Sequence, residues 1–84
     1  MFEYLENMSS EVAAVSFVGE EYAKAKAKHP VFPANPAEGL SIIAEELGEL
    51  AEAINDMETK DRLKEEAAHV AVTAIRFIEE LEKW

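Results

Sequence analysis

Three prolines in seven residues, Pro30, Pro33 and Pro36, interrupt a chain otherwise rich in helix formers. Proline lacks the amide proton an α-helix needs, and its ring collides with the preceding turn, so no helix passes through this stretch. On both sides Ala, Glu, Leu and Lys dominate and β-branched runs are brief, which favours helix over strand. The expectation is therefore an all-α chain, read as one domain over residues 1–84. A chain of that length buries only a little over ~60% of its unfolded surface. It has no Cys, so neither a disulfide nor a thiolate metal site compensates. Oligomerisation is the remaining source of stability, and a homo-oligomer, dimer or tetramer, is expected.

Three helices are expected, packed as an antiparallel protomer. The first runs from about Phe2, or from a restart at Ser9 or Ser10, to about Lys28. Tyr4, Met8, Val12, Val15, Val18 and Tyr22 recur on it at spacings of three and four and form one apolar stripe. Ser9 and Ser10 suit either a cap or a kink, because serine competes for backbone hydrogen bonds. In the proline loop, Val31 and Phe32 are expected to pack down. The second helix has a clear start: Asn35 suits the N-cap, Pro36 the first helical position, and Glu38 follows three residues after the cap. It should reach about Asp56, with Leu40, Ile43, Leu47, Leu50 and Ile54 as its core stripe and Ala44 and Ala51 beside it. After a turn at Met57 to Thr59, Thr59 can cap a third helix whose positive end Asp61 favours. That helix should run to the end of the chain, with Leu63, Ala67, Val70, Ala74, Phe77, Leu81 and Trp84 on one face. So short a connection makes the last two helices antiparallel neighbours.

Charge narrows the functional classes. Eight basic residues against eighteen acidic ones leave −10, with no surplus of Lys and Arg to displace counterions from nucleic acid. No apolar run approaches the ~20 residues that span a bilayer, and Phe2 to Leu5 lacks the basic start of a signal peptide. A soluble cytoplasmic protein is expected. Its acidity is concentrated: from Glu38 to Glu58 stand Glu38, Glu45, Glu46, Glu49, Glu52, Asp56 and Glu58, with no base. Glu45/Glu49 and Glu52/Asp56 repel by a few tenths of a kcal/mol per pair. Two readings stand, a solvated acidic face or a cation site. Carboxylates at i, i+1 and i+4 project within roughly 100° of arc, and oxygen ligands of that kind hold hard divalent ions such as Mg²⁺.

On the third helix, Arg62, Glu66, His69, Thr73, Arg76 and Glu80 fall in one narrow stripe flanking the apolar face. The side opposite that face carries Ala68, Val72 and Ile75. A helix apolar on two sides is buried on both, so a second subunit is expected over the second and third helices. Ile42 and Ala53, off the second helix's core stripe, point the same way. Polar groups inside such an interface need partners. A metal would satisfy Glu66 and His69 facing Glu45, Glu46 and Glu49. The competing reading makes His69 a structural histidine. His29, beside Pro30, is read as structural. Arg62 and Arg76 are read as salt-bridge partners of Glu66, Glu79 or Glu80, with an anionic substrate as the other possibility.

The string Glu45-Glu46-Leu47-Gly48-Glu49, a sixteen-residue spacer, and Glu66-Ala67-Ala68-His69 resemble the EExxE…ExxD signature of the MazG-like, all-α nucleoside triphosphate pyrophosphohydrolases. The proline loop, the run Ala44 to Ala53, Arg62 to Glu66 and Val70 to Arg76 are similar to small members of that family, over about residues 29 to 80. His69 stands where the family pattern has Asp. The resemblance implies a helical bundle completed by oligomerisation and divalent-metal-dependent hydrolysis of a nucleoside triphosphate to the monophosphate and pyrophosphate. It assigns Glu45, Glu46, Glu49 and Glu66 as metal ligands, with Glu45 or Glu46 as an alternative general base. It places His69 as a possible ligand and Arg76, with Arg62, as phosphate contacts. The implied cofactor is Mg²⁺; an imidazole in place of a carboxylate favours softer ions such as Mn²⁺. Phe17, Tyr22 or Phe32 would recognise the base, or serve as core. The acidic balance fits such chemistry, because an anionic substrate reaches an anionic site only through cations.

Two other classes fit the same residues. Ferritin-like di-metal proteins also use helical glutamates and Glu-x-x-His, two sets per bundle, which a dimer would supply. An acidic helical oligomer with a vestigial motif, acting as adaptor, regulator or DNA mimic, would bind no divalent ion.

Overall fold

In a computed structural model of the chain, residues 9–84 are described. They form three α-helices, α1 (Ser10–Lys28), α2 (Pro36–Asn55) and α3 (Lys60–Glu80), and a closing 3₁₀ turn, Leu81–Lys83. No strand occurs among the described residues. The expected start at Phe2 and the stripe members Tyr4 and Met8 lie outside them. No described helix is long and apolar enough to cross a membrane.

Each helix begins where its local chemistry dictates. Ser9, Asn35 and Thr59 hold extended backbone and accept hydrogen bonds from the amides of Val12, Glu38 and Arg62. Each thereby satisfies one of the donors a helix start leaves unpaired. Ser9 is thus a cap. Helix α2 ends in paired reverse bonds, from the Glu58 amide to the Ala53 carbonyl and from the Met57 amide to the Ile54 carbonyl, both 3.1 Å. That closure requires the left-handed φ of +56° at Met57.

Helix α3 is the central element. It packs against both α1 and α2, which make almost no contact with each other. The pairs Phe17–Lys64, Glu21–His69 and Arg76–His29 advance together along α1 and α3, so these two run parallel. The short turn reverses α2 against α3, giving an up-down-up order.

The inward faces differ from those expected. Leu40, Leu47 and Ile54, assigned to the core, are 61%, 55% and 56% exposed. Gly39, Glu46 and Ala53 turn inward instead, with Ile42 half-buried beside them. On α3, Ala68 and Val72, assigned to the far side, are the most buried at 3% and 2%, while Ala67 and Leu81 are exposed. Val12, Val15 and Val31, also expected to pack, are exposed. The cause is the size of the contacting residues. Gly39, Ala53 and Ala68 are small and buried at the packed faces, Gly39 under the rings of Phe77, Trp84 and Phe32, and the polar stripe of α3 occupies the space between α1 and α2. The leucine stripe is left about a quarter turn away.

One apolar cluster fixes the proline loop. A Cβ on Gly39 would lie 2.9 Å from ring atoms of both Phe77 and Trp84 and 3.3 Å from Phe32. Phe77 and Trp84 meet edge to face at 5.0 Å. Arg76, buried, donates from Nη2 to the His29 carbonyl at 2.6 Å and lies 5.3 Å from the Phe32 ring centre. The loop is thus held to α3 at two points, by a charge-assisted hydrogen bond and by aromatic packing.

Candidate metal centre

Between α1 and α2 lies a cleft of about 1080 Å³ whose floor is the polar stripe of α3. Glu21, Lys24 and Lys28 of α1 line one wall, Ile42, Glu45, Glu46 and Glu49 of α2 the other, and Phe32 and Pro33 one end. Glu66, His69, Val72, Thr73 and Arg76 supply the floor.

In this cleft Glu46, Glu66 and His69 converge, each offering one ligand atom within 4.8 Å of the others. His69 Nδ1 lies 3.9 Å from Glu46 Oε2 and 3.9 Å from Glu66 Oε2. Those two carboxylate oxygens are buried and have no hydrogen-bond partner. Glu66 is only 6% exposed. Its other oxygen accepts a 2.6 Å bond from Arg62 Nη2, which fixes the carboxylate and leaves Oε2 turned into the cluster. A buried acceptor without a donor costs roughly 1–3 kcal/mol, more when charged. The Glu46 carboxyl is pushed above its ordinary range, first by burial and then by the neighbouring Glu49 carboxylate, with His69 opposing the shift. A divalent cation would satisfy both orphaned oxygens and remove that repulsion. Two carboxylates and one imidazole are a donor set that suits Mn²⁺ and other first-row ions as well as Mg²⁺.

The remaining residues singled out by sequence are distributed around this trio. Glu45 and Glu49 are exposed and line the cleft without a ligand atom in the tight group. Arg62 bonds Glu65 at 2.8 Å and Glu66 at 2.6 Å, and faces a separate cavity of about 260 Å³ lined also by Glu49, Glu52 and Asp56. Arg76 lines the cleft while holding the His29 carbonyl. His29 acts through its backbone, its amide closing α1 on the Ala25 carbonyl at 2.8 Å. Of the three aromatic candidates only Phe32 lines the cleft. The Lys64 ammonium covers Phe17 at 4.3 Å, and the Tyr22 hydroxyl donates to Glu79 at 2.7 Å.

Sequence reasoning missed Glu21. It is the one buried residue of α1, at 8% exposure. Lys24 Nζ lies 2.9 Å from its Oε2, and His69 Nε2 lies 3.6 Å from its Oε1. The bond from Lys24 chiefly holds this carboxyl below the usual carboxylate range. Its signal was present in the sequence: Glu21 sits three residues after Val18 and four before Ala25, within the helix's inward stripe.

Comparison with protein-family models, curated proteins and solved structures returns no match.

Proposed function

We propose that the protein is a cytoplasmic, divalent-metal-dependent hydrolase of the MazG-like kind, converting a nucleoside triphosphate to the monophosphate and pyrophosphate. One observation carries the proposal. Two halves of a sequence signature, on separate helices, meet in buried carboxylate oxygens that lack any partner, at the floor of a cleft large enough for a nucleotide.

Glu46, Glu66 and His69 would hold Mg²⁺ or Mn²⁺, which supplies Lewis acidity toward phosphate oxygens and a more acidic water. The protein's own groups divide the remaining work. Arg62 keeps Glu66 oriented. Glu49 and Glu45, on the same wall, would extend the acidic surface met by the substrate's phosphates, and Glu45 would accept a proton from the attacking water. Arg76, which lines the floor and has N–H donors beyond the one given to His29, would contact the phosphates. Phe32 offers the base an apolar end wall.

The functional unit is a homo-oligomer. Leu40, Ile43, Leu47, Leu50 and Ile54 repeat at three and four along α2, the spacing of a helix-packing seam. Leu40, Leu47 and Ile54 are exposed, and no large side chain among the described residues is fully buried. A second copy is the occupant that covers the seam.

The test is a panel of ribo- and deoxynucleoside triphosphates with Mg²⁺ or Mn²⁺, read by pyrophosphate release. Cleavage of at least one member, abolished by Glu66→Gln, is expected. No release from any member with either metal would refute the enzyme reading.

A further inference from the structure

A helix that buries one residue normally buries an apolar one, because removing a carboxylate from water is costly unless partners replace the water. Helix α1 does the reverse, and Glu21 is its only buried side chain. Lys24, exposed and one turn away, accounts for Oε2. Oε1 points instead across the cleft to another helix, at the far side of the His69 ring. The imidazole is thus bracketed. Nε2 lies 3.6 Å from Glu21, while Nδ1 lies 3.9 Å from both Glu46 and Glu66. Glu21 has no place in the tight trio of ligand atoms.

We infer that Glu21 is a positioning residue that, when a cation seats on the cluster, closes the 3.6 Å gap to His69, accepts the Nε2 proton and so aims Nδ1 into the Glu46–Glu66 cluster. The inference rests on the metal-centre reading above and deepens it by assigning which imidazole nitrogen ligates and what fixes it. A histidine ligand donates its second N–H to an outer partner, which sets the tautomer, orients the ring and raises the basicity of the ligating nitrogen. A carboxylate serves this role better than a neutral group, since it also stabilises the positive charge that coordination places on the ring. His69 stands one turn from Glu66 on α3, so α3 alone fixes the start of its side chain and not the rotation of the ring. The carboxylate from α1 supplies that second constraint. This gives α1 a reason to dock on α3 through a charged residue: the helix carries the outer partner of the metal centre.

Mn²⁺ affinity of the purified protein tests this without turnover. Glu21→Gln is expected to weaken Mn²⁺ binding by ~10–100-fold, with helical circular dichroism unchanged. His69→Ala is expected to weaken it too, and Glu21→Gln added to His69→Ala to cost no more than about twofold further, because Glu21 acts through the ring. With Zn²⁺ as a diamagnetic ion, ¹⁵N spectra of His69 are expected to show Nδ1 bound and Nε2 protonated, and to lose that pattern in Glu21→Gln. Lys24→Ala, which removes only the other partner, should leave the pattern in place. Equal affinity of Glu21→Gln and the parent, or an undiminished Glu21 effect in His69→Ala, would overturn the inference while leaving the metal centre standing. Absence of Mn²⁺ binding by the parent itself would overturn both.

Discussion

Glycine shows how one residue type takes opposite roles along a single helix. At Gly39 an added Cβ would press on ring atoms of Phe77 and Trp84 at 2.9 Å, closer than real Cβ contacts come, so something must shift. At Gly48 it would meet nothing within 4 Å. Gly48→Ala should therefore stabilise the protein by roughly 0.5–1 kcal/mol, through backbone entropy. Gly39→Ala should destabilise it by about 1–2 kcal/mol, overpacking outweighing the same gain. Urea unfolding of both variants checks the signs. Glu46 makes a second residue-scale case. Its carboxyl is raised by burial and by Glu49, so its charged form disfavours the fold. The sign follows from linkage: a group whose folded pKa is raised helps stability below its unfolded pKa and loses that help as pH rises through the folded one. In metal-free protein at pH 7, Glu46→Gln should therefore melt higher than the parent, and the difference should shrink as pH falls. The same variant should bind Mn²⁺ more weakly, a stability gain at the expense of function.

At the scale of elements, helix starts were legible and helix faces were not. Ser9, Asn35 and Thr59 each cap through a bond to an amide three residues on, a signal contained in four residues. The meeting of Glu46 with Glu66 and His69 was legible for a related reason, since a short turn forces α2 and α3 into antiparallel contact. The rotation of α2 and α3 about their axes differs from what apolar periodicity predicts. Periodicity places the most apolar stripe of α2, Leu40 to Ile54, innermost, whereas the buried positions are the small residues Gly39, Ala53 and Ala68 with the polar stripe beside them. Glu21 stands at an inward position of α1 that periodicity shows, but its pairing with His69 is not legible, because His69 lies on a helix that no short turn joins to α1. The proline loop belongs to this scale too. Arg76→Met keeps the apolar stem but removes the donor to the His29 carbonyl. It should cost about 1–3 kcal/mol by leaving that acceptor unpaired. Amides of residues 29–35 should then exchange faster with solvent than in the parent, while those of α3 keep their protection.

The whole molecule combines a thin core, an exposed leucine seam and charged residues turned inward. The protomer turns Glu21, Glu66 and Arg76 inward and leaves Leu40, Leu47 and Ile54 exposed; the proposed cation would satisfy Glu66 and the proposed second copy would cover the exposed stripe. Leu47→Glu, at the middle of that seam and already exposed in the protomer, should lower the mass seen by light scattering to that of a single chain. An unchanged oligomer would place the interface elsewhere. The claim on which the rest depends is that Glu46, Glu66 and His69 hold a divalent ion. Titrating Mn²⁺ into metal-free protein, with free ion followed by its paramagnetic resonance signal, measures this directly. Saturable binding that Glu66→Gln abolishes with the fold intact is expected. A free-ion signal that rises as in buffer alone, through millimolar Mn²⁺, would contradict it.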